Sequence, residues 1–425
     1  MRTSRPRWRF TRRGVALIAV AAVLAVLTAT TMQFRYQTNV DYASATNARD
    51  AMRAHYLARS VMNMSMLITK VQHDILDKLR NNATMRTMFP DIQISDFMSM
   101  LEVPMCGSKS ELGDMASMMG VDAGGIKGLG IDYGQCHVES FTAEDGKINV
   151  NCANGQPATA QSIGLALTGL VSSPAYNKLF EERDGDGQFT DRQMFVKALM
   201  DYVDRDESGF GVSGSSEDYG YESLKEPYRA KNYYIDSPDE LQLVRGMDDR
   251  KWEIFGPQLT VYGGCKINVS AVTSPIQMMT LFVQAAKNPN DPVIANPAKL
   301  YLLAQRVAAA RSLGKYFSDL QKFVDFVKDP DADLGLTQAT QATQAGGAQT
   351  AAPPGLPPVE GLELDMTKLG QIAKAGARRV YRIVASAQVG RVEKRIIGVW
   401  DTENPNQNVR DPAYRRGAWL YWREE

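Results

Sequence analysis

Between Arg13 and Arg35 the chain carries no charged residue, and this run constrains the molecule more than any other stretch: Val15 to Phe34 is 20 residues of apolar, small and uncharged polar side chains. As a helix it covers roughly 30 Å, the thickness of a bilayer's hydrocarbon core. Arg2, Arg5, Arg7, Arg9, Arg12 and Arg13 stand before it with no acidic residue among them. The charges after Arg35 are mixed in sign, so the positive-inside rule keeps the N-terminus in the cytoplasm and everything beyond residue 35 outside. A cleaved secretory signal fits poorly. The apolar run exceeds the usual ~7–15 residues, and Gln33-Phe34-Arg35-Tyr36-Gln37 offers no small-residue cleavage site.

Past the span the pattern stays helical. Leu57, Val61, Met64, Ile68, Val71, Ile75 and Leu79 recur at spacings of three and four, with Arg59, Lys70, Asp74 and Lys78 between them. The spacing predicts one helix from Val15 to about Asn81, roughly 100 Å long, half in lipid and half outside. Pro90 ends it at the latest.

The 425 residues leave room for two domains, and 44% hydrophobic with 23% charged is ordinary for a globular chain. Lysine plus arginine and aspartate plus glutamate balance at 48 each, so no net field favours nucleic acid, which is excluded as a partner. The three histidines, His55, His73 and His137, join no Gly-x-Ser-x-Gly, His-Glu-x-x-His or phosphate-loop pattern, and no enzyme is expected.

Gly107 to Gly134 reads as loop. "CHVESFTAEDGKINVNC" reads as a hairpin turning at Asp145-Gly146, the strongest short-range turn pair. Helical patterns follow at Ile163 to Phe180, Arg192 to Val203 and Leu241 to Val244, then a strand-like "CKINVS" at Cys265 to Ser270, then helices at Ile276 to Ala286 and Lys299 to Val327. Thr337 to Pro358 is low-complexity and unable to bury a core, hence a flexible linker. "RRVYRIVASAQVGRVEKRIIGVWD" alternates apolar and polar residues about Gly390, a second hairpin.

All four cysteines fall on the external side, where disulfides persist. With Asp145-Gly146 as a two-residue turn, Cys152 lies opposite Glu139, ~10 Å from Cys136, beyond the ~7 Å a bridge allows between Cα atoms. The expected pairs are Cys152 with Cys265, joining the similar segments "GKINVNC" and "CKINVS", and hence Cys106 with Cys136.

A basic leader ending in Gly14, an apolar helix starting at Val15 and an amphipathic continuation resemble the class III signal of type IV pilins and type II secretion pseudopilins. The resemblance implies that a prepilin peptidase cuts after Gly14 and methylates Val15. Ala19 occupies the fifth mature position, where most members carry glutamate; a buried carboxylate in lipid needs a partner, and a subunit at the tip has none above it. An apolar residue there resembles the K-type minor pseudopilins, the general secretion pathway protein K family. So does "DYVDRDESGFGVSGSSEDYGYESLKEPYRAKNYYIDSPDELQLVRGM", with its acidic turn, Glu-Asp before tyrosine, Pro-Tyr-Arg-Ala-x-Asn and Glu-Leu-x-x-Val-x-Gly. The likeness spans roughly residues 12–80, 140–286 and 378–400 and leaves out the linker and the helices near 300–327.

The resemblance implies an α+β fold: a pilin-like transmembrane and amphipathic helix packed on an antiparallel β-sheet, interrupted by a large, mostly α-helical insertion domain. The expected divisions are a leader at 1–14, the helix at 15–81, a first β region at 82–152, the insertion at 153–336, the linker at 337–358 and the C-terminal strands at 359–425. The family binds calcium in its α-domain, which is carried over here to Asp204, Asp206, Glu217 and Asp218, with Asp201 and Glu207 as further oxygens of the same stretch. A weaker candidate is "DGDGQFTDRQMF", which offers Asp184, Asp186 and Gln188 but ends on Phe195 where a calcium loop has its bidentate Glu; otherwise it is a turn capping the helix at Arg192.

The implied role is a subunit at the tip of a secretion pseudopilus, anchored by a single pass in a bacterial inner membrane with the bulk of the chain periplasmic. It would start or cap assembly with I-type and J-type minor pseudopilins on an inner-membrane secretion platform, within reach of secretin and exported substrates. The alternatives are a minor pilin of a type IV pilus and a membrane-anchored calcium-binding protein that never polymerises.

Overall fold

The computed structural model describes residues 12–76, 106–107, 133–185, 187–205, 209–210, 218, 220–222, 224, 226–312, 315–331, 358–403 and 417–425. The chain enters as one helix, α1 (Arg12–Val71), continued by a short π-helical turn at Gln72–Leu76. Up to residue 44 every described side chain of α1 is exposed, and from Asp50 on one face is buried.

That face differs from the stripe the apolar spacing predicts. Ala54, Ala58, Val61, Met62, Ser65, Thr69 and Gln72 are buried, while Met64 is exposed and Leu57 and Ile68 only half-buried. The sheet makes room for Met62 at Gly398, where an added Cβ would come within 2.7 Å of the Met62 side chain. Thr69 satisfies its hydroxyl inside the helix by donating to Met66 O at 2.7 Å.

The sheet is antiparallel, in the order β1 (Gln135–Ala143), β6 (Val380–Val389), β7 (Val392–Asp401), β8 (Ala418–Glu424). The β6–β7 hairpin closes at Gly390, whose φ of 62° is left-handed and suits glycine. Alternation along β6 shows two buried faces: Tyr381, Ile383, Ala385 and Ala387 meet α1, and Val380 joins the core of the insertion. His55 Nδ1 lies 3.5 Å from Glu424 Oε2 and His73 Nε2 lies 3.2 Å from Glu403 Oε1, so two histidine–carboxylate contacts flank the helix–sheet seam.

The hairpin expected at Asp145-Gly146 does not form. β1 pairs with β6 instead, and Glu144–Gly146 is a 3-10 turn leading to β2 (Ile148–Asn149), which pairs parallel with β3 (Leu259–Thr260). Gly146 is needed here for space, since a Cβ would meet the Ala271 carbonyl at 2.4 Å. Residues 148–152 therefore belong with the helical insertion and not with the pilin sheet.

The insertion is built from α2 (Pro157–Val171), α3 (Arg192–Asp201), α4 (Asp249–Phe255), α5 (Pro275–Ala285), α6 (Pro297–Ser312) and α7 (Leu320–Lys328), around Phe195, Phe255, Phe282 and Phe323. The single helix read from Ile163 to Phe180 stops at Val171, and Pro174 opens a separate 3-10 turn. The helix read from Lys299 to Val327 is likewise two, α6 and α7, with Phe317 buried between them. After the stretch that includes the linker, which lies outside the described residues, α8 (Met366–Ile372) packs on this core and β5 (Ala373–Lys374) pairs parallel with β4 (Ile267–Asn268). The C-terminal sheet strands thus start at Val380, because Leu364, Leu369 and Ile372 bury themselves in the insertion.

Candidate assembly and metal-binding sites

Three regions carry the residues singled out by the sequence: the membrane end of α1, the neck joining sheet to insertion, and the acidic loop after α3.

At the membrane end, Gly14 falls within α1, and Val15 and Ala19 are exposed on it. The helix is long and apolar enough to cross a membrane, and none of its most apolar stretch is buried against the rest of the chain. Residues 1–11 lie outside the described residues.

The neck is double. Two parallel strand pairs, β2–β3 and β4–β5, lie side by side, and Cys152 is bridged to Cys265 with Cα atoms 5.5 Å apart. Cys106 is bridged to Cys136 on β1 at 5.2 Å. These are the pairs expected, although the hairpin from which they were reasoned is absent; Cys136 and Cys152 are kept apart because β1 and β2 belong to different sheets. Asp145 sits beneath the neck with its side chain buried: Oδ2 accepts from Arg379 N at 2.6 Å and Val380 N at 2.7 Å, and Oδ1 lies 3.7 Å from Lys374 Nζ. Arg379 in turn forks onto Asp401, Nε to Oδ1 at 2.6 Å and Nη2 to Oδ2 at 2.9 Å. Burial pushes the Asp401 carboxyl up, against the pull of Arg379. A cleft of about 590 Å³ opens over this pair, walled by Tyr234, Tyr262 and Tyr421. Sequence reasoning missed Asp145, Arg379 and Asp401, whose partners are set by long-range contacts.

In the acidic loop, Asp206, Glu207 and Glu217 lie outside the described residues. Asp201 is buried at the end of α3, where it ion-pairs with Lys197 and accepts from Phe210 N at 2.6 Å. Asp218 Oδ1 accepts from Ala230 N at 3.1 Å and its Oδ2 lies 3.9 Å from Arg229 Nε. Among the described residues no group of three or more His, Cys, Asp or Glu could hold a metal. Behind the loop stand Tyr202, Tyr221 and Tyr228, with rings 6.2 and 5.2 Å apart; burial pushes the Tyr202 phenol up to about 12 and raises Tyr221 further. Tyr202 and Tyr221 are buried, and Tyr228 is exposed beside them. Asp204 and Asp218 are the described residues of the calcium set.

The weaker candidate is a self-closed turn. Asp184 Oδ1 accepts from Gln188 N at 2.8 Å and Oδ2 from Thr190 Oγ1 at 3.0 Å, so both oxygens serve protein donors; Asp186 lies outside the described residues. Asp191 caps α3 by accepting from Met194 N at 2.8 Å.

Glu240 marks the far side of the loop, in a capping box with Ser237, accepting from Asp236 N at 3.1 Å and paired with Lys231 Nζ at 2.5 Å. Burial raises its pKa, but the Lys231 and backbone N–H bonds outweigh burial and hold it below the ordinary value. Its stabilisation is therefore complete above the unfolded carboxyl value and is lost as pH falls through the depressed native one. Melting temperature measured from pH 6 to 3 should fall less steeply for Glu240→Gln than for the wild type, and parallel curves would count against this linkage.

Residues 146–264 match the family model described as Type II secretion system (T2SS), protein K. The likeness to protein K is confined to that stretch, which is well under half of the chain. It begins beside Asp145 and ends one residue before Cys265, so the matched unit is bounded by the neck. A solved structure, the GspK-GspI-GspJ complex from the enterotoxigenic Escherichia coli Type 2 Secretion System, matches with a TM-score of 0.42 and 16% identity, over 69% of this chain and 81% of that one. No curated protein matches the chain.

Proposed function

We propose that the chain is a minor pseudopilin that stands at the tip of a type II secretion pseudopilus and starts or caps its assembly. The observation that carries this reading is the protein K stretch set between two parts of one helix-on-sheet frame: β1 before it and β6, β7 and β8 after it form a single sheet on the outer half of α1. The apolar half of α1 anchors the frame, and Ala19 lacks the carboxylate with which a lower subunit would dock under an earlier one. The role is architectural, with no catalytic step. Partners are the I-type and J-type minor pseudopilins, the prepilin peptidase that exposes Val15, and an inner-membrane platform, with secretin and exported substrates within reach of the insertion.

The test combines processing with assembly. In membranes containing the peptidase, mass spectrometry should find the mature chain beginning at methylated Val15, and the purified chain should hold I-type and J-type subunits through size exclusion. An intact Met1 together with a chain that elutes alone would reject the reading in favour of a non-polymerising membrane protein.

We also propose that calcium orders the acidic loop through Asp204, Asp206, Glu217 and Asp218, whose mutual repulsion the ion would neutralise. At about 100 times the dissociation constant, calcium should add roughly 2.7 kcal/mol to stability. The melting temperature of the chelator-stripped protein should therefore rise on adding calcium, and the rise should vanish in a variant with Glu217→Ala and Asp218→Ala. No rise in the wild type would leave the cluster a solvated loop.

A further inference from the structure

Among the described residues β8 pairs only with β7, and its stretch Ala418 to Trp422 (Ala-Trp-Leu-Tyr-Trp) carries no charge and no proline. Side chains along it are half-buried: Trp419 stacks between Trp400 and Trp422 at 5.1 and 4.8 Å, and Tyr421 meets Tyr262 at 6.4 Å. β8 carries one irregularity, at Leu420 where the pairing with β7 shifts between Val399 and Trp400, and charge only at Arg423 and Glu424; an edge strand whose remaining residues are apolar is a template for another strand. The opposite edge, β1, does carry charge, with Glu139 held 2.8 Å from Arg395.

Direction decides which strand fits. Asp50 of α1 lies by Gly390, Met62 by Gly398, Lys70 over the Trp400 ring at 5.0 Å and His73 by Glu403, so α1 and β7 run the same way. β8 is antiparallel to β7 and returns toward the membrane, bringing Glu424 to His55. A two-fold pairing of β8 with β8 of a second copy would point the two α1 helices in opposite directions, which two chains anchored in one membrane cannot do. A strand running with α1 satisfies both constraints, and β1 runs that way, being antiparallel to β6. Through the ladder Glu424, Ile396, Ala385, Val138, the residue Glu139 stands at about the level of Arg423.

We propose that the free edge of β8 takes, by antiparallel strand addition, the β1-type edge strand of a neighbouring pilin-type subunit anchored in the same direction, with an uncharged stretch opposite Ala418 to Trp422 and a carboxylate opposite Arg423. This rests on the assembly reading above and names the surface it uses.

Hydrogen exchange tests it on the full chain in detergent, with separately purified I-type and J-type minor pseudopilins as probes. Binding should slow exchange of the 418–424 amides at least tenfold, and Arg423→Glu, which also gives up the free chain's exposed pairs with Glu425 at 2.8 Å and Asp239 at 3.8 Å, should weaken binding at least tenfold while β8 of the free chain keeps its own exchange rates. A photocrosslinker in place of Leu420 should link to a strand of the bound subunit. If the complex forms with β8 exchange unchanged and links arise only from α1, the strand-addition proposal is overturned and the assembly reading survives. If no complex forms, both fall. Protection of β8 in the chain alone, with a dimer present, would overturn the direction argument and with it the proposal.

Discussion

Asp145→Ala should cost the chain about 3–4 kcal/mol of folding stability. In the native state one buried carboxylate oxygen serves two backbone donors, Arg379 N at 2.6 Å and Val380 N at 2.7 Å, and the other faces Lys374 at 3.7 Å. Alanine would leave both N–H groups buried without an acceptor, each costing on the order of 1–3 kcal/mol, and would strip Lys374 of a counter-charge. Arg379 and Val380 are the entry to β6, so the loss falls where sheet and insertion meet. Asp145→Asn keeps an acceptor oxygen and should lose about half as much. Denaturant unfolding followed by tryptophan fluorescence measures both, since Trp400, Trp419 and Trp422 lie in the sheet. An alanine variant within about 1 kcal/mol of wild type would show that water replaces the carboxylate, and the buried-donor account would be wrong.

Replacing Cys152 and Cys265 together by serine should have a comparable effect. The bridge closes a sequence separation of 113 residues, for which chain entropy in the unfolded state predicts a loss of about 4.8 kcal/mol. The loss should be selective: the insertion, whose neck is otherwise two strand pairs of two residues each, should melt well below its wild-type temperature, while β6 and β7 hold. The comparison is the double serine variant of Cys106 and Cys136, whose separation of 30 predicts a smaller entropic term and whose bridge lies on β1, outside the neck. Calorimetry resolving two transitions in the first variant would bear this out. Equal melting of both variants and wild type would mean that the Asp145 contacts and the parallel pairs hold the neck without the bridge.

Features with a local cause were legible in the sequence. Twenty uncharged residues behind six arginines specify a helix long and apolar enough to cross a membrane whatever surrounds them, because the cost of burying charge in lipid is set residue by residue. The β6–β7 hairpin was equally plain: alternation on both sides and one glycine that takes φ of 62° are properties of neighbouring residues. The protein K stretch could be read from its own words, "EPYRAKNYY" and "DELQLVRG".

What needed the tertiary structure was every partner distant along the chain. Asp145-Gly146 carries the signature of a tight hairpin, yet the strand before it pairs with one that begins at Val380, and the Asp and Gly are there for other reasons: a buried carboxylate for Arg379 and Val380, and a missing Cβ against Ala271. The stripe on α1 turned from Leu57, Met64 and Ile68 to Ala54, Ala58, Met62, Ser65 and Thr69 because the face that meets the sheet depends on how the two pack, as at Gly398 where the sheet makes room for Met62, and that packing is a property of the pair. Short-range pattern reports what a residue can do with its neighbours; which of those options is taken depends on contacts whose entropy cost is met only when the whole core closes.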